Sequence, residues 1–453
     1  MAYYTIAPLL HKDIFGKELG PANVKPGHMT LEVWDYVNIS GKDLLGKAHY
    51  LHTRIELIIT QQQKQSKSSG NFLTLSAATA KYGADAARVA MGDAGDGIED
   101  ANFEESVANS SILKLFELKK WCEETIFEAH LVSSAEEYAK VRDSNKVKNT
   151  DSIQRTGSFG FFDKIFENEL NGLVQQAKTH YGATNYKLAL KAGLYDLTSA
   201  RDSYRSSTAA ADVGMCAELV SRYIEYQALM LAPIAPHWAD YVWTEVLKKP
   251  STIQNATFPN VPDTNPELNA QTAYVRGTSS NITSAEGAQQ KKMAKGKTVS
   301  FDPTKDKKLV IFAQAEYPKW QARYVDLVRD AFDGLTVDVK TITTKAADKS
   351  AVKKAMPFVQ SLKKQLEGGI SPNVVFNRQL AFDELATLRE IVPVLLRTVP
   401  KLVKLELVAL DEGGKSGVVI DVADGSRGEE RSDLPALAEA AIPGSPSFSF
   451  ENV

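Results

Sequence analysis

The sequence predicts a mixed α and α/β chain, with a bundle of antiparallel helices in its middle and a small α/β domain at its C-terminal end. Two observations carry this. From Phe103 to about Leu247 apolar residues recur at helical spacing with short polar interruptions, and from Lys307 onward short apolar runs alternate with longer amphipathic ones. A third observation separates the two: residues 248 to 300 are poor in apolar clusters and rich in Pro, Asn, Thr, Ser, Gln and Gly. With 453 residues and 43% hydrophobic content, the chain has apolar surface for two or three cores.

Taken in order, residues 1 to 63 are mixed, with a Gly/Pro-rich region from Gly16 to Gly27, the short motif Ser40-Gly41-Lys42-Asp43-Leu44 and a run of glutamines at 61–63. A polar Lys/Ser loop follows and leads into a helix expected from Leu75 to Met91. Gly92-Asp93-Ala94-Gly95-Asp96-Gly97 reads as a helix C-cap and turn, because its aspartates repel phosphate and it lacks the ligand pattern of a calcium loop. In the bundle, Ile112, Leu115, Phe116, Trp121, Ile126 and Phe127 mark one long amphipathic run. The next starts at Phe159–Phe162 with Asp163 in its first turn, where a helix dipole favours acid. A third is expected from Tyr186 to Tyr204 and a fourth from Ala209 to Leu231. Pro233 and Pro236 break that fourth helix, and Trp238 to Leu247 resumes it.

The stretch 251–300 reads as a long, partly disordered linker that ends in the basic run Lys291, Lys292, Lys295 and Lys297. Beyond it, strands are expected at Leu309–Ala313, Leu335–Val339, Leu402–Leu410, Val418–Val422 and Ser447–Phe450. Helices are expected at Trp320–Phe332, Val352–Leu366 and Asp383–Thr398.

Composition narrows the function classes. A net charge of −3 gives no global basic field, so any nucleic-acid contact comes from local patches. Cys122 and Cys216 are far apart and in no metal-ligand spacing, which fits two buried or idle thiols in a reducing compartment and no tightly bound metal. No run reaches the roughly 18 apolar residues of a membrane helix, and the N-terminus lacks a basic signal region, so no membrane is expected. Tyr223, Tyr226, Trp238, Tyr241 and Trp243 are capable of stacking on bases, but their helical spacing favours core. His237 beside Trp238 is expected to be a packed pair.

The segment that carries chemistry is Lys64-Gln65-Ser66-Lys67-Ser68-Ser69-Gly70. Two lysines three apart, set among small hydroxyl residues, make a cationic loop suited to a triphosphate. As the α-phosphorus reacts, charge moves onto pyrophosphate, and positioned ammonium groups stabilise that state most. Alone, the pentad reads as a solvated surface loop. Its surroundings change that. It resembles the KMSKS signature of class I aminoacyl-tRNA synthetases. Lys81-Tyr82-Gly83-Ala84-Asp85-Ala86-Ala87-Arg88, Glu99–Phe103 and Met1–Ala7 are similar to the archaeal/eukaryotic leucyl-tRNA synthetase family. So are Glu32–Tyr36, Leu231-Ala232-Pro233-Ile234-Ala235-Pro236-His237-Trp238, Val375–Arg378 and the tail Pro443–Val453.

The resemblance implies four parts: 1–102 as the remnant of a class I Rossmann-like catalytic domain, 103–250 as a helical anticodon-binding bundle, 251–300 as a linker, and 301–453 as a C-terminal α/β tRNA-binding domain. It implies a cytoplasmic leucine–tRNA ligase that uses ATP with Mg2+ as substrate, leucine and tRNA-Leu. Lys64 and Lys67 would hold the leaving pyrophosphate, Ser66 and Ser68 would shape the loop, and Gly41, Lys42 and Asp43 would contact the adenosine end. The chain departs from the family in three ways. None of its seven histidines pairs at His-X-Gly-His spacing, no editing domain is present, and the stretch 37–63 is compressed, with Gln65 in place of the usual Met. Residues 1–63 are therefore expected to be the least well-formed part, and the alternatives are a non-catalytic tRNA-binding protein or a partial reading of a longer gene.

Overall fold

The computed structural model describes residues 74–95, 103–144, 147, 149–315, 319–345, 349–368, 372–376, 380–411 and 414–453. They form two compact units that divide between Thr264 and Asn265. The expectations for residues 1–63 lie outside the described residues.

In the first unit, the Thr74 side chain accepts the amide of Ala77 and caps α1 (Leu75–Tyr82). The single helix expected from Leu75 to Met91 is two. Gly83 takes φ +79°, a left-handed backbone that a Cβ resists, and turns the chain into α2 (Ala84–Ala94). Gly95 then caps α2, as its sequence suggests. After α3 (Glu105–Phe127) come β1 (His130–Val132), α4 (Ala135–Asp143) and β2 (Ile153–Arg155). Then α5 (Phe161–Gly182) leads to α6 (Tyr186–Leu190), a π-helical turn (Lys191–Asp196) and α7 (Leu197–Ala210). The fourth bundle helix starts later than expected. Asp212 and Gly214 adopt positive φ and reverse the chain into β3 (Met215–Cys216), so that α8 runs over Ala217–Leu231. It is followed by α9 (Pro236–Tyr241) and a second π-helical segment (Val242–Val246). The strands β1, β2 and β3 form a small parallel sheet in that order.

Aromatic rings dominate the bundle core. Phe166 stacks on Tyr204 with centroids 4.4 Å apart, and Trp121 meets Tyr223 nearly edge-on at 5.6 Å. Tyr223, Trp238 and Trp243 are buried here, with Tyr226 and Tyr241 partly so, which makes the aromatic set core. A polar knot joins this core to the small sheet. Asp163 accepts the amide of Gly160 at 2.6 Å, the hydroxyl of Tyr204 and the guanidinium of Arg155. The Tyr204 oxygen in turn accepts the Cys216 amide at 2.7 Å. Burial holds the Tyr204 hydroxyl well above its ordinary pKa, so it remains a donor to Asp163.

The stretch expected to be a long, partly disordered linker contains a long helix. Residues 251–264 stay with the first unit, where the Asp240 carboxylate accepts Thr252 Oγ1 at 2.7 Å and the amide of Ile253 at 2.8 Å. The second unit then opens with α10 (Pro266–Ala294), capped by Asn265 and started by Pro266. Its buried stripe is Tyr274, Thr278, Ile282 and Glu286, four residues apart each time. Two of the four are polar, so an apolar periodicity never forms. Glu286 is tolerated there because the buried Lys307 ammonium meets it at 2.8 Å.

The strand β4 (Lys307–Gln314) pairs in parallel with β5 (Leu402–Leu410) at the centre of a five-stranded sheet. With β6 (Gly417–Ile420), β7 (Arg427–Arg431) and β8 (Ser447–Asn452), the order is β7-β6-β5-β4-β8. One sheet face carries Leu309, Ile311, Leu405 and Leu407 against α10 and a helix over Glu384–Thr398; Val310, Phe312, Val408 and Leu410 on the other lie under Ala438 and Ala441. Between β4 and that helix come α11 (Lys319–Asp330), α12 (Val339–Lys345), α13 (Lys349–Glu367) and α14 (Pro372–Phe376); the Glu384–Thr398 helix is α15. The strand expected at Leu335–Val339 is a turn. Asp333 Oδ1 accepts the amides of Leu335 and Thr336, Val337 makes a single bridge to Phe332, and Asp338 Oδ1 accepts the amide of Lys340 at the start of α12.

Candidate functional site

All seven residues that the sequence nominates for the ATP site, Gly41, Lys42, Asp43, Lys64, Ser66, Lys67 and Ser68, lie outside the described residues. What the structure describes is the platform that follows them. Two segments 150 residues apart, Lys81–Arg88 and Leu231–Trp238, meet here. Arg88 donates to the carbonyls of Ile234 at 2.8 Å and Pro233 at 2.7 Å. Asp85 accepts the amide of Trp238 at 2.7 Å and bonds His237 Nδ1 at 2.8 Å. The proline-broken turn exposes carbonyls and an N-terminal amide that no helix satisfies. Arg88 and Asp85 satisfy them, and α2 is thereby fastened to the bundle. His237 itself is exposed, so the expected packed pair is an exposed histidine hydrogen-bonded to Asp85 beside a buried tryptophan.

The same junction borders an open cleft of about 520 Å³. One wall is the α1–α2 turn at Tyr82–Ala86, another is Ile112, Leu115, Phe116 and Lys119 of α3, and the last is His237, Trp238 and Tyr241. Phe116 is 58% exposed, against its place in a core-facing run, while Leu115 and Trp121 are buried. Tyr241 donates to Glu123 at 2.6 Å, and Lys119 lies over its ring at 4.5 Å. Lys81 bonds Glu105 at 2.7 Å, and this bond, with one to Tyr82, raises its pKa.

In the second unit, Lys291, Lys292, Lys295 and Lys297 stand exposed at the C-terminal end of α10. No acidic residue occurs between Glu286 and Asp302, and Glu286 is turned inward to Lys307. Here the sequence holds a concentrated positive patch, and a helix C-terminus is a favourable place for it. Both cysteines are buried, and burial pushes the Cys122 thiol up to about 12, so it stays protonated. Among the described residues, no group of three His, Cys, Asp or Glu is placed to hold a metal ion, and no helix is long and apolar enough to cross a membrane.

A family model described as the anticodon-binding domain of tRNA ligases matches residues 163–300. Its end overruns the boundary between the units: α10 lies inside the match but packs within the second unit. Along 100% of its length the chain is 42% identical to the cytoplasmic leucine–tRNA ligase of Neurospora crassa, covering 43% of that protein. With the cytoplasmic leucine–tRNA ligase of Saccharomyces cerevisiae the identity is 35%, again over 100% of this chain and 43% of the relative. The chain thus spans a little under half the length of these curated relatives. From end to end, it is homologous to the C-terminal part of cytoplasmic leucine–tRNA ligases.

Proposed function

We propose that this chain is the part of a cytoplasmic leucine–tRNA ligase that carries the KMSKS-like ATP loop and grips the tRNA. The observation that supports this is 42% identity along the whole chain, joined to an anticodon-binding match that covers most of the helical bundle. On this reading the leucine carboxylate attacks the α-phosphorus of ATP, leucyl-adenylate forms and pyrophosphate leaves with Mg2+. Lys64 and Lys67 hold the pyrophosphate, Ser66 and Ser68 shape the loop, and Gly41, Lys42 and Asp43 contact the adenosine. Leucine then passes to the terminal ribose of tRNA-Leu. The loop's covalent neighbour α1 begins eight residues after Lys67, and α2 is tied to the bundle by Arg88 and Asp85. RNA phosphates meet the lysines at the end of α10.

The test is leucine-dependent ATP–pyrophosphate exchange by the purified chain, with tRNA binding measured alongside. Lys67→Ala is expected to abolish exchange and leave tRNA affinity unchanged. A second reading, tRNA binding without catalysis, rests on the anticodon-binding match over residues 163–300 alone. It predicts salt-sensitive tRNA binding, no exchange, and indifference to Lys67→Ala.

A further inference from the structure

Helices α11 to α14 form a lobe with its own core, built around Tyr324, Val328, Ile342, Val359 and Leu362 and distinct from the core under the sheet. Its charge is unlike that of the rest of the chain. Residues 319–376 hold ten Lys and Arg against six Asp and Glu, a surplus of four positive charges in a chain whose total is −3. Arg323, Lys340, Lys345 and Lys364 are exposed on three of its helices.

On this basic lobe Trp320 keeps 46% of its surface in water. Its indole is braced all the same. Tyr324 and Phe358 meet it nearly edge-on, with centroids at 6.2 Å and 5.8 Å. A ring held in this way gives up little conformational freedom when another ring stacks on it. Arg323 follows one helical turn later, within reach of whatever the indole receives.

We propose that this lobe takes an unpaired RNA base on Trp320 while its lysines and arginine steer the flanking phosphates. Lysines are depleted from the cores of protein interfaces, whereas the exposed cations of this lobe suit the phosphates on either side of a base. The indole is the right size for one base, and every base has a π-face. The positive surplus selects a polyanion. The inference rests on the reading that the chain binds tRNA, and adds where one base goes.

The full chain is titrated with a tRNA-Leu transcript and with a short unstructured RNA oligonucleotide at several salt concentrations. Trp320→Leu, which keeps an apolar contact for Tyr324 and Phe358 but offers no ring, is expected to weaken binding of both RNAs about tenfold or more. Trp320→Phe is expected to fall between it and the wild type. The salt slope stays unchanged in both, because stacking releases no counterions. In parallel, RNA is expected to quench the part of the tryptophan emission that Trp320→Phe removes, a readout independent of how the leucine variant folds. Unchanged affinities in Trp320→Leu, or no quenching of that component, overturn the proposal and leave tRNA binding standing. Trp320-dependent binding of the oligonucleotide without binding of tRNA would instead overturn the tRNA reading alone.

Discussion

Asp163 and Glu384 are both carboxyls buried in the first turn of a helix, one in each unit, and their surroundings are opposite. Asp163 meets a guanidinium, a tyrosine hydroxyl and a backbone amide. Among the described residues Glu384 meets no cation: its Oε1 accepts the Tyr274 hydroxyl at 2.7 Å and the Gly444 amide at 3.2 Å, and its Oε2 is buried without a described partner. Burial pushes the Glu384 carboxyl up to about 7. At Glu384, then, a helix N-terminus and two hydrogen bonds do not offset burial, whereas Asp163 has a guanidinium beside it, which favours the charged form of an acid.

The largest expected effect comes from removing a cation where one is present. Lys307→Met leaves Glu286 buried with no cation, held only by the Gln290 side-chain amide at 2.8 Å, and is expected to cost about 3–5 kcal/mol. Hydrogen exchange should show the loss in the second unit alone. Adding Glu286→Leu is expected to restore most of it, since the pair as a whole is near break-even. If the single change is silent, the cation is not what makes a buried acid tolerable here. In the first unit, Asp163→Ala strands Arg155, the Gly160 amide and the Tyr204 hydroxyl, at an expected cost of about 2–4 kcal/mol. That loss belongs to the bundle and its small sheet, and leaves protection in the second unit unchanged.

Glu384 sharpens the comparison through pH. Below about 4.5 the carboxyl is neutral in the folded and the unfolded chain. Between that value and about 7 the unfolded chain releases the proton while the folded one keeps it, so the second unit loses stability as pH rises and levels off above about 7. The full loss is on the order of 3 kcal/mol. Glu384→Gln is expected to flatten this slope and raise the stability of the second unit at pH 8. An unchanged pH profile in that variant would put the titration elsewhere.

How far the fold was legible follows the same physics. Bundle helices and the strands at 309–313 and 402–410 announce themselves because one apolar face repeats. The helix α10 did not, because Thr278 and Glu286 take two of its four buried stripe positions and the partner that makes Glu286 acceptable is 21 residues away. β7, Arg-Gly-Glu-Glu-Arg, is an edge strand whose charges disguise it while protecting the edge. Strands of two or three residues, such as β1 to β3, are too short for any period. Of the candidate site, the pentad lies outside the described residues, while both segments that meet at Arg88 and Asp85 were readable. Their meeting was not readable, because it depends on carbonyls and an amide freed by the proline turn.

The smallest effect on folding is expected from the four lysines at the end of α10. All four are exposed, and exposed charges contribute little to stability. Changing Lys291, Lys292, Lys295 and Lys297 together to Ala should therefore leave the unfolding of both units where it was. Affinity for tRNA at low salt should fall, and the slope of log affinity against log salt should shrink by about one for each lysine that meets a phosphate. Lys307 and these four share one residue type and one unit, and differ only in burial. A charge inside the protein is spent on folding; the same charge outside is free for a polyanion. If the quadruple change instead destabilises the second unit and leaves the salt slope intact, the run is a helix cap favoured by the dipole and not an RNA contact.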